Sequence, residues 1–234
     1  MTWSIIARDG DSGSLGIAVA SRFFAVGSLV PWIRSGVGAV ATQAMLNPLL
    51  GPAILDRLEQ GETVDAALNA AWGRDDGAAV RQIHAMDGKG NRTAHTGNDC
   101  IDWCGDLTGQ DVSVAGNMLV GGAVLQACLE EYAAQAALSF PERLLRSLLA
   151  GDAAGGDKRG RQSAALRVHT TEVYPDWDLR VDDHPDAPAE LARLFTVGQI
   201  AFANYKAFIP TRANPAGVTD RDKMAAVRAK ADNR

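Results

Sequence analysis

The chain has 234 residues, of which 47% are hydrophobic, and its formal net charge is −5. This length and hydrophobic content are sufficient for one large domain with a buried core. The acidic balance argues against a broad basic face, so we expect no nucleic-acid partner.

The start of the chain and its apolar segments bear on localisation. The segment MTWSIIARDG lacks the basic region and the apolar run of a signal peptide, and no apolar stretch approaches the roughly 20 residues of a membrane span. We therefore expect a cytoplasmic protein without a membrane partner.

Cys100, Cys104 and Cys128 are an odd count in a chain that we expect to meet reducing conditions, so we expect thiols rather than disulfides. Cys100 and Cys104 form one CxxxC pair, and the four histidines are scattered and offer no second ligand pair for zinc. We expect neither a metal nor a cofactor.

Hydrophobic patterning predicts groups of strands that alternate with groups of helices. The predicted strands are, in chain order, residues 2–8, 15–20, 36–42, 79–85, 92–96, 111–115, 163–169 and 179–182. The predicted helices are one that begins at Asn47 and Pro48 and ends before Gly61, then 63–72, 121–137, 143–150, and one that passes through Leu191 and Tyr205.

This order places short helix pairs between groups of strands. Such pairs are too short to form a bundle and must cover a sheet, so the order predicts an α+β fold with two packed, mainly antiparallel sheets. A helical layer on each outer side makes it a four-layer αββα sandwich. We expect one domain over residues 1–209 and a C-terminal extension, residues 210–234, that is a partner arm or disordered.

Thr2 is the first candidate for chemistry. Removal of Met1 would give Thr2 a free α-amine beside its own hydroxyl. An amine with a pKa near ~8 can accept the hydroxyl proton at neutral pH and so activate the nucleophile. A Met-Thr start alone indicates only a chain end, so the prediction depends on the rest of the chain. Ser4 shares a strand face with Thr2 and is expected to tune it.

The segment AGGDKRGRQS is the most informative polar stretch. It places a carboxylate, two cations and further polar groups in one glycine-rich loop: Asp157, Arg159, Arg161, Gln162 and Ser163. We expect this loop to bind a small anionic substrate. The alternative is that its arginines pair with the acidic residues of LRVDDH and stabilise the fold.

Other polar residues are predicted to border the same site. Asn117 precedes a predicted helix and is the candidate that supports an oxyanion, and Gln43 lies just before the first helix. Ser21 and Arg22 follow the second predicted strand, where the interpretation without a site role is a solvated strand end.

Asp182 and His184 are predicted to face the arginine loop from a strand end. Together with Asp183 they could also hold a divalent ion, but the sequence offers no further ligand. We therefore favour a salt-bridge role for this acidic segment.

Two resemblances extend this interpretation. The segment TWSIIARDGDSGSLGIAVASRFFAVG resembles the opening hairpin of the proteasome-like hydrolases, and Ser21 and Arg22 lie where that family has a polar cluster beside its nucleophile, which implies a binding role for them. That family also places an aspartate and a serine after the second helix pair. Asp157 and Ser163 lie at a comparable point, which implies that Asp157 would orient the amine of Thr2.

Over about residues 1–205 the sequence also closely resembles an uncharacterised bacterial family classed by its fold among the N-terminal-nucleophile (Ntn) hydrolases. The matching stretches are MTWSIIARD, AVGSLVPW with GVGAVATQ, LNPLLG, AGNMLVG, AGGDKRGRQSAAL and LRVDDHPDAPAEL.

These observations lead to two hypotheses of different classes. The first is an Ntn-type amidohydrolase that acts through Thr2 on a small, carboxylate-bearing amide, with Asn117 or a backbone N–H supporting the oxyanion. The second is a non-catalytic protein that keeps the Ntn fold and binds a ligand or a partner. A hydrolase that uses a metal, Ser4 or Ser21 ranks lowest. We also expect a homo-oligomer.

Overall fold

The computed structural model describes residues 2–232, which form a mixed α+β fold with two antiparallel sheets and six α-helices. The strands are β1 Thr2–Arg8, β2 Leu15–Ser21, β3 Pro31–Arg34, β4 Gly38–Ala44, β5 Arg81–Asp87, β6 Arg92–Thr96, β7 Trp103–Gly109, β8 Val112–Leu119, β9 Ser163–His169 and β10 Trp177–Val181. The helices are α1 Leu50–Glu59, α2 Val64–Trp72, α3 Ala123–Ala134, α4 Phe140–Ala153, α5 Ala187–Ala201 and α6 Arg221–Asp232.

The first strand of the chain lies inside the larger sheet. The six-stranded sheet has the order β10-β9-β2-β1-β8-β7, and the four-stranded sheet has the order β3-β4-β5-β6. Every neighbouring pair in both sheets is antiparallel. β1 therefore pairs along its length with both β2 and β8.

Three apolar clusters show how the layers pack. One joins the six-stranded sheet to α3, α4 and α5, and a second joins the four-stranded sheet to α1 and α2. The third lies between the two sheets and contains Ile6, Ile17, Ala41, Met86 and Ala165. Because side chains alternate along a strand, the even-numbered residues of β1 face the other sheet.

The structure has two strands that the patterning did not predict. β3 has only four residues, and β7 carries two glycines and exposed side chains, so neither has the composition of a buried strand. β7 forms because it pairs with β8, and β3 because it pairs with β4. α4 begins at Phe140, earlier than predicted, and the side chain of Ser139 makes no capping hydrogen bond.

The segment after Pro210 contains a helix, Arg221–Asp232. The chain before it is tied to the domain, since Tyr174 Oη donates to Pro210 O at 2.6 Å and Lys206 lies 4.8 Å from the Trp177 ring. A role as a partner arm stays a prediction, as does assembly into a homo-oligomer. Within residues 2–232, every helix is too short or too polar to cross a lipid bilayer.

Gly97 lies close to the 3-10 helix Ala78–Val80 that precedes β5, and this contact yields a prediction. A Cβ atom at Gly97 would lie 2.2 Å from the carbonyl oxygen of Ala79, a backbone atom that cannot move aside easily. Gly97→Ala should therefore lower the free energy of unfolding by about 2 kcal/mol, measured by urea denaturation. Gly10→Ala is the control, because a Cβ there meets nothing within 4 Å. Equal stability of the two variants would contradict the close approach.

Candidate active site

Thr2 belongs to a row of four polar residues that crosses the six-stranded sheet. Thr2 is paired in register with Ser21 on one side and Asn117 on the other, and Ser21 is paired with Ser163. All four residues are buried. Directly opposed residues in antiparallel strands point to the same face, so the whole row faces the four-stranded sheet. Within the row, Thr2 Oγ1 donates a hydrogen bond to Ser21 Oγ at 3.1 Å.

A cavity of about 280 Å³ adjoins Thr2, Ser21 and Asn117. Its charged lining residues are Asp99 and Arg159. The rest of the wall is mainly apolar and includes Phe23, Val26, Val30, Met45, Leu46 and Ile101. A cavity of this size and composition suits a small ligand with an apolar part and a few polar groups.

A β-bulge shapes the backbone next to Thr2. Trp103 is opposite Leu119 and Gly105 is opposite Gly116, so two residues of β8, Asn117 and Met118, oppose one residue of β7. Met118 and the cavity residue Ala44 have φ angles of 54° and 67°. Such angles are uncommon for residues with a side chain and concentrate at ligand sites.

Gln82 sets the direction of a polar network between the sheets. Its Nε2 donates to the carbonyl oxygens of Gly116 at 2.9 Å and Gly105 at 3.2 Å. Carbonyl oxygens only accept, so the other end of the amide, Oε1, must be the acceptor end. Oε1 receives hydrogen bonds from Gln43 Nε2 at 2.8 Å and from Asn117 Nδ2 at 3.0 Å.

The same reasoning extends from Gln43 to His84. Ser4 Oγ donates its only proton to Gln43 Oε1 at 2.7 Å, so it must accept from His84 Nε2 at 2.8 Å. His84 Nδ1 then accepts from Ser113 Oγ at 2.9 Å. Burial lowers the pKa of His84 to about 3, which agrees with a neutral ring protonated on Nε2.

The network leaves Asn117 with an unexpected orientation. Because Nδ2 of Asn117 points to Gln82, its Oδ1 is the remaining polar atom. This oxygen is buried and makes no hydrogen bond to any described residue. The side chain of Asn117 therefore offers an acceptor, whereas the sequence led us to expect a donor for an oxyanion.

Asp157 holds the arginine loop against the end of β2. Its buried carboxylate accepts hydrogen bonds from the backbone N–H of Arg22 at 2.8 Å and of Arg159 at 2.7 Å. The Arg159 guanidinium pairs with the same carboxylate at 3.2 Å. The hydrogen bonds that the structure describes for the Asp157 carboxylate come from these two residues, so its predicted role of orienting the Thr2 amine stays a prediction.

Two other predicted binding residues, Ser163 and Gln43, lie behind the cavity wall and do not line the cavity. Ser163 Oγ donates to Phe23 O and accepts from Val26 N at 3.0 Å, so it holds the segment that forms part of the cavity wall. Gln43 is fully buried in the network between the sheets.

The remaining predicted residues do not line the cavity beside Thr2. A separate surface depression is lined by Arg22, Arg161, Gln162 and His184. Arg161 pairs with Asp152 at 2.6 Å, and Asp182, which follows β10, pairs with Arg180 at 2.8 Å. The alternative in which the loop arginines pair with Asp182 and Asp183 is therefore not the arrangement observed. In residues 2–232, no three His, Cys, Asp or Glu side chains are grouped so as to hold a metal ion.

Three important residues were absent from the sequence-based site. Asp99 and Cys100 line the cavity from the loop after β6, and Gln82 directs Asn117 from β5. Burial raises the pKa of the Cys100 thiol, and all three cysteines are free thiols. Strand periodicity places Gln82 on one face of β5, but its partners come from distant parts of the chain.

The neutral state of His84 yields a second prediction. Its pKa is about 3 in the folded protein and near 6.5 in an unfolded chain, so between these pH values the unfolded chain binds more protons. Stability should therefore fall by a few kcal/mol as the pH drops from about 6.5 towards 3. His84→Gln should weaken this dependence, measured by urea denaturation at pH 7 and 4.5. The same pH dependence in both proteins would contradict a buried neutral His84.

Comparison with known proteins identifies the family. The model of a family of unknown function, DUF1028, matches residues 2–191. A Silicibacter pomeroyi protein of DUF1028 has a crystal structure that is similar with a TM-score of 0.87 and 32% identity, over 94% of this chain and 96% of that chain.

Two weaker likenesses are to Anbu, the ancestral beta-subunit. The protein from Yersinia bercovieri has a TM-score of 0.40 and 12% identity over 89% of this chain and 98% of its own. A Gly-1 mutant from Hyphomicrobium sp. strain MC1 has a TM-score of 0.40 and 13% identity, over 85% and 96%. No curated protein matches the chain. From the family model and the Silicibacter structure, the chain belongs to DUF1028, a family of unknown function.

Proposed function

We propose that this protein is an Ntn-type hydrolase whose nucleophile is Thr2. The observation that carries the proposal is the position of Thr2, buried at the first residue of an inner strand and bordering a cavity. Helices on both outer sides of two packed sheets agree with the four-layer αββα sandwich of that class. Fold alone does not determine activity, so the proposal depends on this site.

The chemistry begins when the residue before Thr2 has been removed. The free α-amine accepts the proton of Oγ1 while Oγ1 forms a bond to the carbonyl carbon of an amide. The amine then passes that proton to the leaving nitrogen as the C–N bond breaks. Water hydrolyses the resulting ester and restores the Thr2 hydroxyl. The backbone N–H of Met118, at the bulge, is the proposed support for the oxyanion.

The lining of the cavity limits the substrate. Arg159 is a cation whose charge is held at the cavity by its buried partner Asp157. The wall around it is mainly apolar, and the volume of about 280 Å³ admits only a small molecule. We therefore propose a small amide that has an apolar part and a carboxylate, with the carboxylate bound by Arg159.

The alternative is a non-catalytic protein that binds such a ligand in the same cavity. The two functions differ in what they require of Thr2. A binding protein needs no free α-amine and no reactive hydroxyl, so covalent labelling of Thr2 distinguishes them.

Labelling with a β-lactone tests the nucleophile. In protein that starts at Thr2, Oγ1 should open the lactone and form a stable ester, detected by peptide mass spectrometry. Thr2→Ala should abolish the label, and Thr2→Ser should keep it because the hydroxyl remains. Protein that retains Met1 is the control and should react at least 100-fold more slowly, since general-base assistance contributes about 10²–10⁴-fold. Equal labelling of all four proteins would contradict the proposal.

A pair of β-lactones, one with a carboxylate and one with a methyl ester, tests the role of Arg159. Loss of one charge-assisted contact should lower the preference for the carboxylate about tenfold in Arg159→Gln. Arg161→Gln is the matched control, because Arg161 lines the other depression and should leave the preference unchanged. An unchanged preference in Arg159→Gln would exclude Arg159 as the carboxylate site.

A further inference from the structure

Asn117 has a buried hydrogen-bond acceptor that lacks a donor within the described part of the chain. Its Oδ1 has no hydrogen-bond partner among the described residues, although Asn117 is fully buried and lines the cavity. Leaving a buried acceptor without a partner is unfavourable, so such atoms usually have a specific role. The Asn117 amide cannot rotate by 180° to give this oxygen a partner. Oδ1 would then take the place of Nδ2 and face Gln82 Oε1, and two acceptors cannot form a hydrogen bond.

The β1 residue opposite Asn117 in register is Thr2, whose backbone nitrogen is a donor. Arg8 N donates to Asp111 O at 2.9 Å, which shows that the N–H of Arg8 points from β1 towards β8. Backbone N–H groups alternate sides along a strand, so the nitrogen of Thr2, six residues earlier, also points towards β8. Thr2 is paired in register there with Asn117.

The side chains of the two residues also share a face of the sheet. Thr2 has the same parity as Ser4, whose hydroxyl reaches Gln43 on the opposite sheet. Asn117 reaches Gln82 on that same sheet. Directly opposed residues have Cβ atoms about 5 Å apart, so an Asn117 side chain can reach the amine of its neighbour.

We propose that Asn117 Oδ1 accepts a hydrogen bond from the free α-ammonium of Thr2, and that Gln82 is the positioning residue that turns this oxygen towards it. The inference rests on the proposed removal of the residue before Thr2. A free ammonium has three protons, whereas the amide nitrogen of an internal residue has one. Processing therefore creates the donors that the buried oxygen lacks.

In this proposal, the orientation of the Asn117 side-chain amide affects the pKa of the Thr2 α-amine. An acceptor beside the ammonium favours its charged form and raises the pKa of the amine, whereas an NH₂ group in the same place would lower it. Gln82 decides between the two because its own Nε2 is committed to Gly116 O and Gly105 O. The charged and titratable groups that border the cavity are Arg159, Asp99 and the Cys100 thiol, and Asp157 pairs with Arg159.

The chain offers a matched pair of variants. Gln82 and Gln43 are both buried and belong to the same network. Gln82→Met removes the group that directs Asn117. Gln43→Met removes the other amide and makes the same change of side chain. It leaves Gln82 Nε2 bound to the carbonyl oxygens of Gly116 and Gly105. A merely structural role predicts that the two variants behave alike.

The experiment measures the pH dependence of α-amine carbamylation by cyanate, in protein that starts at Thr2, by peptide mass spectrometry. Wild type and Gln43→Met should have the same midpoint. Gln82→Met should have a midpoint lower by about one pH unit, a typical effect of losing a hydrogen bond to the charged form. Asn117→Leu should show the same shift, and the double variant should show no further shift, because both changes remove one interaction.

Two results would overturn the inference. One is an unchanged midpoint in Gln82→Met and in Asn117→Leu, with circular dichroism showing that they are folded. The other is an equal shift in Gln43→Met. Carbamylation needs only a free amine, so it is independent of turnover. A shifted midpoint without lactone labelling would contradict the hydrolase alone, and labelling without a shift would contradict the Asn117 contact alone.

Discussion

The hydrogen bonds from Gln82 to two glycine carbonyls determine the arrangement of the polar layer. A side-chain amide donates only from its nitrogen. Because Gln82 Nε2 bonds to these two carbonyls, Gln82 Oε1 must accept, and the nitrogens of Gln43 and Asn117 must face it. The same logic continues through Ser4 to a neutral His84. One amide thus sets proton positions across both sheets, from the core to the cavity beside Thr2.

The cavity follows from how the two sheets divide their shared interior. At one end the space is filled by apolar side chains such as Ile17 and Met86, which pack without polar partners. At the other end the row that contains Thr2 and Asn117 cannot pack in this way, because each polar group needs a partner. The bulge in β8 and the segment tethered by Ser163 complete the wall there. The buried polar residues and the cavity that could hold a ligand therefore lie at the same end of the fold.

The sequence was sufficient for local features and insufficient for long-range ones. Hydrophobic alternation predicted β1 and β2, and the α+β class, because these depend on neighbouring residues. β7 was missed because pairing with β8, rather than its own composition, makes it a strand. The glycine-rich loop was recognised as polar and cationic, but periodicity could not show that Arg159 borders the cavity while Arg161 lines another depression. Gln82 could not be identified because its contacts come from distant segments.

The most direct test of a Thr2 nucleophile is the intact mass of the protein isolated from the cells that naturally make it. The free-amine mechanism requires the mass of a chain that begins at Thr2 with an unmodified amine. A mass that corresponds to a chain retaining Met1, or to a blocked Thr2, would contradict that mechanism, because the base it requires would not exist. The cavity would then be assigned to ligand binding without catalysis.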